Sequence, residues 1–355
     1  MSEIKKVFMK GNEAIAHSAI AAGCKAYFGY PITPQNEIPE TLSELLPKTG
    51  GQFIQAESET AAASMLLGAV ATGVRAFTSS SSPGISLMQE AISYMAGSEL
   101  PAVIVNISRG GPGLGDIGSS QGDYFQSVKG GGHGDYKLLV LAPSSCQEAY
   151  DLMIDAFDLA FKYKNPVMLL GDAIIGGTKE PVVMHQPNTI NQYNSTTWRL
   201  DGRGESYREK RLIKSLLLDE GSLAEHNLKL AKKYNSMQAD VRFESIETED
   251  AEVIAVAFGS IGRIVKSSIK KLRAEGLKVG LIRPITLFPF PSAVLNKLAK
   301  QNKKFLVIEH NLGQMVEDVK LAVNGLSSVN FFGCMPGNLP STEDFIEPLK
   351  KEFNI

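Results

Sequence analysis

The stretch PAVIVNISRGGPG, residues 101–113, is a continuous apolar run that ends in an arginine and a glycine-rich turn. An unbroken apolar run of this kind is typical of a strand covered on both faces, as in a parallel sheet. Similar runs recur up to residue 180, separated by segments with helical spacing. The predicted strands cover residues 24–30, 51–57, 74–80, 101–109, 137–143 and 166–172. This alternation predicts a parallel α/β fold.

The alternation stops after residue 180 and resumes at residue 250. The intervening segment begins with an irregular polar stretch, residues 182–198. A charged stretch follows, residues 204–234, whose spacing predicts one or two exposed amphipathic helices. After it, the predicted strands cover residues 252–258, 278–284, 304–310 and 329–334. We therefore predict a first domain (1–180), a connector (181–249) and a smaller α/β domain (250–355).

The composition narrows the classes of partner. The 36 basic and 38 acidic residues are spread along the chain and form no basic stripe, so we expect no nucleic-acid partner. No apolar run reaches the roughly 20 residues that cross a bilayer, and the first residues do not resemble a signal peptide. We therefore expect a cytoplasmic protein without a membrane partner. Its three cysteines are far apart in sequence and form no Cys-x-x-Cys motif, so iron–sulfur clusters are not expected in this chain.

Ligands of parallel sheets bind beyond the carboxyl ends of the strands, so the loops after the predicted strands are the candidate sites. In Tyr-Pro-Ile-Thr-Pro, residues 30–34, two prolines fix the backbone around Thr33, whose hydroxyl either faces a ligand or caps the next helix. In Ala-Glu-Ser-Glu, residues 56–59, a carboxylate precedes an almost uncharged helix. It serves either proton transfer or hydrogen bonding at a buried site, or Ser58 or Glu59 caps that helix.

Two further loops carry groups that bind anions. The hydroxyl-rich turn at residues 79–84 precedes a helix and either holds an anion or is a solvated turn. Arg109 ends a buried strand beside the glycines of residues 110–115, where it is well placed to pair bidentately with a carboxylate. The alternative is a structural ion pair between Arg109 and Asp116 or Asp123.

Taken in order, the segments YPITP, ESET, SSSSPGISLM and NISRGGPG resemble the alpha subunit of 2-oxoacid:ferredoxin oxidoreductases. The resemblance is strongest to the branched-chain type, which acts on 3-methyl-2-oxobutanoate, and it covers nearly the whole chain. It implies a thiamine-diphosphate-binding (pyrimidine-domain) parallel sheet fold followed by a transketolase C-terminal-like α/β domain. The segments FGSIGRIVKSSI (258–269) and LIRPITLFPFP (281–291) fit that second domain.

The same resemblance assigns roles to individual residues. It places Glu59 at N1′ of the thiamine pyrimidine, as both a catalytic and a cofactor-binding residue, with Glu57 as the alternative register. Pro31 is placed beside the pyrimidine and Thr33 beside the substrate. Arg109 is assigned to the carboxylate of the 2-oxoacid, which agrees with the chemistry expected from its surroundings.

Thiamine enzymes hold Mg²⁺ and the diphosphate through Gly-Asp-Gly followed by Asn, and this chain lacks that pair. Gly171-Asp172-Ala173 is the nearest segment, and we interpret it as a strand end at which Asp172 caps a helix. The resemblance therefore implies a beta subunit carrying the diphosphate and Mg²⁺, with iron–sulfur clusters also in partner subunits. It further implies gamma and ferredoxin-like subunits, ferredoxin as electron acceptor and coenzyme A as co-substrate. The chain alone is expected to be inactive.

The segment GGGHGDY, residues 130–136, bears on the choice of 2-oxoacid. Relatives that use 2-oxoglutarate often carry Arg before the His-Gly of this segment, whereas this chain has Gly132 before His133. A neutral, branched substrate fits better, although Lys129 keeps 2-oxoglutarate open. Two rival hypotheses are a lipoamide-linked 2-oxoacid dehydrogenase component and a non-catalytic α/β regulatory subunit.

Overall fold

A computed structural model describes residues 6–187, 195–202 and 210–354 of the chain. Its strands are β1 (Lys6–Lys10), β2 (Ala26–Gly29), β3 (Gln52–Gln55), β4 (Ala76–Ser80), β5 (Val103–Gly110), β6 (Asp116–Ser119), β7 (Leu139–Leu141), β8 (Val167–Asp172), β9 (Lys179–Val183), β10 (Phe243–Ile246), β11 (Val253–Val256), β12 (Val279–Pro284), β13 (Thr286–Phe288), β14 (Lys304–Glu309) and β15 (Val329–Gly333). Its helices are α1 (Gly11–Ala21), α2 (Glu37–Leu45), α3 (Glu59–Ala71), α4 (Ser82–Gly97), α5 (Tyr124–Val128), α6 (Cys146–Tyr163), α7 (Ala173–Gly177), α8 (Ser222–Ser236), α9 (Gly259–Ala274), α10 (Ser292–Ala299), α11 (Met315–Val323) and α12 (Ile346–Lys351). Among these, no helix is long and apolar enough to cross a membrane.

The first sheet has the order β13-β7-β8-β5-β4-β2-β3, and its six strands from β7 to β3 are parallel. Helices cover both faces, because the strands are apolar on both sides. Leu66 and Met88, from α3 and α4, belong to one buried cluster, whereas Ile15 and Phe157, from α1 and α6, belong to another. The predicted parallel α/β fold is confirmed.

The second sheet has the order β10-β12-β11-β14-β15, in which only β10 is antiparallel to its neighbour. It joins the first sheet through main-chain and side-chain contacts. Strand β13 pairs antiparallel with β7 of the first sheet. Arg283 of β12 is buried and donates to Glu148 of α6 and to Glu244 of β10, each at 2.8 Å. The two sheets are thereby held in a fixed relation.

Two elements differ from the sequence-based expectation. Strands β1 and β9 form an antiparallel ribbon that was not predicted, because the two strands are short, partly exposed and about 170 residues apart. In the predicted connector, α8 is a helix, but residues 210–218 are extended, and their burial alternates with every second residue. The prediction of a helix over these residues was therefore wrong. Burial at every second position lets the side chains at odd positions pack on the first domain, as in a strand.

Parts of the predicted connector, residues 188–194 and 203–209, lie outside the described residues. Strand β10 falls within the predicted connector but pairs in the second sheet. Strand β13 falls within the predicted second domain but pairs in the first sheet. The domain limits at 180 and 249 stay predictions.

Candidate active site

The loops singled out in the sequence meet at one edge of the first sheet, because the strands that precede them are parallel. Arg109 Nη1 donates to the backbone oxygen of Thr33 at 2.9 Å, which joins the loop after β2 to the end of β5. The backbone nitrogen of Arg109 donates to Ser82 Oγ at 3.0 Å, which adds the start of α4. Glu59 lies against Gly84 in the first turn of the same helix. The structure therefore brings Thr33, Glu59 and Arg109 to one place.

Glu59 is the first residue of α3, and its neighbour Ser58 is the N-cap. Ser58 Oγ accepts a hydrogen bond from the backbone nitrogen of Ala61 at 3.2 Å, so the helix is capped without help from Glu59. The Glu59 side chain is only 7% exposed, yet no described residue hydrogen-bonds its carboxylate. Glu57 is exposed instead. A largely buried carboxylate without a partner in the protein is well placed to accept a hydrogen bond from a ligand.

The start of α4 supplies further unpaired polar atoms beside Glu59. A Cβ on Gly84 would lie 2.0 Å from Ser80 Oγ and 2.7 Å from Glu59 Oε1, so only glycine allows this close approach. Ser80 Oγ and Ser81 Oγ are buried and have no hydrogen-bond partner within the described ranges. Unsatisfied donors and acceptors of this kind, together with a carboxylate, suit the nitrogen-rich edge of an aromatic heterocycle.

Arg109 is 8% exposed and its guanidinium has no acidic partner among the residues that the structure describes. Its Nη1 and Nη2 donate to backbone oxygens of Thr33 and Leu114, the latter at 3.2 Å, and its Nε has no acceptor. The alternative of an ion pair with Asp116 or Asp123 is therefore wrong. Backbone carbonyls orient the guanidinium but do not neutralise it, which leaves a positive charge available to an anion.

Asp123 has a different role, which the sequence did not reveal. Its Oδ2 accepts hydrogen bonds from Ser82 Oγ at 2.6 Å and from Asn106 Nδ2 at 2.8 Å. Burial raises the pKa of the Asp123 carboxyl, and these hydrogen bonds oppose that rise. Because Ser82 also contacts the backbone of Arg109, Asp123 fixes the end of β5 relative to α4.

The loop of residues 30–34 is held by a buried hydrogen-bonded chain. The Tyr27 hydroxyl lies 2.7 Å from Ser79 Oγ, which donates to Gln35 Oε1 at 2.5 Å. Pro31 and Thr33 are exposed, and α2 begins only at Glu37, with Asn36 as its N-cap. Thr33 therefore does not cap the helix, and this loop presents both residues at the open side of the site.

Asp172 behaves as the sequence predicted, since it is the N-cap of α7. Its Oδ1 accepts from the backbone nitrogen of Ile175 at 3.0 Å, and Ser260 of α9 donates to its Oδ2. Burial raises the pKa of the Asp172 carboxyl. In the part of the chain that the structure describes, no group of histidine, cysteine, aspartate or glutamate side chains could hold a metal ion.

Comparison with known families gives matches over most of the chain. The thiamine-diphosphate-binding model of pyruvate flavodoxin/ferredoxin oxidoreductases matches residues 17–249. The model of pyruvate:ferredoxin oxidoreductase core domain II matches residues 251–345. Ketoisovalerate oxidoreductase subunit VorB of Methanothermobacter marburgensis is 47% identical over 97% of both chains. The 2-oxoglutarate synthase subunit KorA of Methanocaldococcus jannaschii is 38% identical over 96% of this chain and 98% of its own.

Solved structures agree with these matches. A 2-oxoglutarate:ferredoxin oxidoreductase from Magnetococcus marinus, solved with 2-oxoglutarate, coenzyme A and succinyl-CoA, superimposes with a TM-score of 0.85 at 27% identity. The match covers 98% of this chain and 65% of that one, so this chain spans about two thirds of that solved chain. A split-gene transketolase superimposes with a TM-score of 0.60 at 13% identity, which shows a shared fold alone. The predicted thiamine-diphosphate-binding fold is confirmed.

Proposed function

This chain belongs to the thiamine-diphosphate-dependent 2-oxoacid:ferredoxin oxidoreductases, and from that premise we propose a specific role for it. It is the subunit that holds the pyrimidine of thiamine diphosphate and the carboxylate of a branched-chain 2-oxoacid, 3-methyl-2-oxobutanoate. The complex that contains it oxidatively decarboxylates this substrate to an acyl-CoA and reduces ferredoxin. Mg²⁺, the diphosphate site and the iron–sulfur clusters belong to partner subunits.

One observation carries the proposal: two buried groups of opposite charge, Glu59 and Arg109, lie at the same sheet edge without a charged partner among the described residues. Two largely buried groups that lack a charged partner are more typical of a binding site than of a purely structural one. The Glu59 carboxylate fits a ring nitrogen, and the Arg109 guanidinium fits a substrate carboxylate. This argues against the non-catalytic reading of the subunit.

The residues of this chain have two kinds of role: some bind the ligands, and one holds a proton at the cofactor. Thiamine diphosphate supplies the electron sink that decarboxylation of a 2-oxoacid requires. Glu59 would hold a proton at the pyrimidine nitrogen opposite its carboxylate. Arg109 would orient the substrate by its carboxylate, which places the keto carbon on the side of the cofactor. Pro31 and Thr33 would line the open side.

The surroundings of Arg109 favour an apolar substrate side chain. Leu114, whose backbone oxygen accepts from Arg109, is 81% exposed, and Ile117 of β6 is also exposed. Lys129, the residue that kept 2-oxoglutarate open, forms an ion pair with Asp318 of α11. Its charge is therefore already compensated. The similarity to ketoisovalerate oxidoreductase subunits supports the same choice.

We expect Gly132→Arg to destabilise the protein and not to create a 2-oxoglutarate site. A Cβ at Gly132 would lie 2.7 Å from the backbone oxygen of Gln89 and 2.9 Å from Ser93 Cβ, so the loop cannot accept any side chain in place. Overpacking of this kind costs about 1–3 kcal/mol, or roughly 1–4 °C in melting temperature for a chain of this length. The matched control is Gly177→Arg, because a Cβ there meets nothing within 4 Å. Turnover of 2-oxoglutarate at unchanged melting temperature would contradict the expectation.

We infer that a partner subunit docks on one face of α3 and α4. After Glu59, α3 contains no charged residue, and a helix that is apolar all round is normally buried. Its outer side is nevertheless open, with Met65 exposed and empty space beside Gly68, and Leu87 of α4 is 58% exposed. Because Glu59 opens α3, a subunit covering this face would also bring the diphosphate half-site to the candidate active site.

Leu87→Glu should therefore leave the isolated chain folded but prevent its assembly. Burying a carboxylate in an apolar interface costs several kcal/mol, which is enough to reduce association more than a hundredfold. Co-purification of the tagged chain with its partner subunits, and melting of the chain alone, measure the two effects. Leu321→Glu, at an exposed leucine of α11, is the control. Equal loss of assembly in both variants would exclude the α3–α4 face as the specific contact.

The function itself is tested by reduction of ferredoxin by the assembled complex, loaded with thiamine diphosphate and supplied with coenzyme A and a panel of 2-oxoacids. We expect the highest kcat/KM with 3-methyl-2-oxobutanoate. Higher kcat/KM with 2-oxoglutarate would overturn the choice of substrate. A loaded, intact complex that turns over no 2-oxoacid would overturn the catalytic role.

A further inference from the structure

A cavity of about 560 Å³ lies at the opposite edge of the first sheet from Glu59. Its wall contains the C-terminal end of α4, the C-cap residue of α6 (Lys164) and the extended segment at residues 210–214. The start of α4 lies beside Glu59, and its 16 residues span about 24 Å, so the cavity is remote from the candidate active site. It is therefore not part of that site.

The lining of this cavity carries an excess of positive charge. Its cations are Lys164, Lys210, Arg211 and Lys214. Among the described residues of the lining, Glu99 is the one acidic residue, and it is already shared between two further cations. Lys229 contacts its Oε2, and Lys233 lies 3.6 Å from its Oε1. Glu99 also interacts with Lys164, so its single negative charge is shared among three lysines, of which only Lys164 lines the cavity.

Among the other cations of the lining, acidic residues compensate the charge of Arg211 but not that of the two lysines. Arg211 Nη1 lies 2.9 Å from Asp201 Oδ1 and also donates to a backbone oxygen at 2.7 Å. Lys210 and Lys214 are exposed and pair with no acidic residue in the described ranges. They belong to the extended segment, in which Ser215 packs against Gly97 at the end of α4. Both lysines are part of the cavity lining.

The backbone at two of the lining residues is unusual. Glu99 has φ of 54° and Lys164 has φ of 47°, and both follow a helix, at positions where glycine is the common residue. A charged side chain in the left-handed region costs free energy that glycine avoids. Both residues nevertheless line the same cavity, and strained residues of this kind cluster at functional sites.

The aromatic and apolar residues of the lining also fit a small organic ligand. Lys164 Nζ lies 5.2 Å from the centre of the Trp198 ring, and Trp198 and Ile213 give the cavity an apolar wall. The volume is within the range of small-molecule sites, about 300–1,000 Å³.

We propose that this cavity binds a small phosphate-bearing metabolite, with the phosphate held by Lys164, Lys210 and Lys214. Lysine ammonium groups are compact point charges that bind phosphate without a fixed geometry. Trp198 and Ile213 would contact the organic part of the ligand. The proposed site takes no part in turnover of the 2-oxoacid. Residues of this chain form it without a partner subunit.

Calorimetric titration of the full chain with inorganic pyrophosphate, at low ionic strength, tests the proposal. We expect one site per chain and at least tenfold weaker binding by Lys210→Gln/Lys214→Gln. The control Lys297→Gln/Lys300→Gln removes the same charge from exposed positions at the end of α10 and should bind like wild type. Citrate, which offers carboxylates in place of phosphates, should bind more weakly.

The proposal is overturned if wild type does not bind pyrophosphate, or if the double variant binds as tightly as wild type. Equal weakening in the control, or citrate binding as tight as that of pyrophosphate, would also overturn it. In the assembled complex, the Lys210→Gln/Lys214→Gln variant should keep wild-type turnover of the 2-oxoacid. The outcome is thus independent of the proposed catalytic function.

Discussion

Replacement of Glu59 by glutamine is expected to lower 2-oxoacid-dependent ferredoxin reduction by the assembled complex about 10²–10⁴-fold, the usual contribution of a positioned acid or base. Glutamine keeps the shape of the side chain but cannot hold a proton at the ring nitrogen in the same way. Because Ser58 caps α3, the helix does not depend on the Glu59 carboxylate. The chain should therefore fold, and its melting temperature should not fall.

The control for this variant is Glu57→Gln, two residues earlier and exposed. It makes the same chemical change just before α3, and we expect activity within about twofold of wild type, as for a surface substitution. If Glu57→Gln were the inactive variant, the alternative register of the motif would be the right one. If neither variant lost activity, the pyrimidine site would have to lie elsewhere.

Arg109→Ala should lower kcat/KM for the 2-oxoacid by about 10²–10³-fold, because removal of one partner from a buried, hydrogen-bonded charge pair costs about 2–5 kcal/mol. Most of the loss should be an increase in the KM for the 2-oxoacid, if Arg109 binds the substrate carboxylate. Arg109→Lys keeps the charge but cannot reach the oxygens of both Thr33 and Leu114. We expect it to recover only a small part of the lost activity.

Steady-state kinetics with varied 2-oxoacid and varied coenzyme A separate this role from a structural one. The KM for coenzyme A should stay constant in the Arg109 variants. Arg263→Ala is a suitable control, because this half-exposed arginine of α9 pairs with Glu180 and lies outside the candidate site. A parallel loss of affinity for both substrates would mean that Arg109 acts through the loop that it holds, and not through the substrate.

The sequence predicted those strands whose own residue pattern is sufficient to identify them. β5 and β8 were predicted as buried strands because their apolar runs are continuous. β13 was not predicted, because three residues carry no periodic signal and its partner β7 lies about 145 residues away. The extended segment at residues 210–218 was wrongly predicted as helical, since its leucines fit both periods.

The candidate active site could likewise be predicted from the sequence only in part. The motifs placed Glu59 and Arg109 near a common edge, but no pattern in the sequence could show that the guanidinium contacts only backbone oxygens. The bonds of Asp123 to Ser82 and Asn106 depend on three separate segments that the fold brings together. The assignment of Glu59 to catalysis and cofactor binding, of Pro31 to cofactor binding, and of Thr33 and Arg109 to substrate binding stays a prediction.

Strand β13 also has a consequence for how the protein is made. Until residues 286–288 leave the ribosome, β7 forms an open edge of the first sheet, with its main-chain donors and acceptors available to other strands. Domains generally fold as they are synthesised, N-terminal part first. Here the N-terminal sheet is completed only when more than three quarters of the chain has been translated, so a nascent chain stalled before that point is the species most exposed to aggregation.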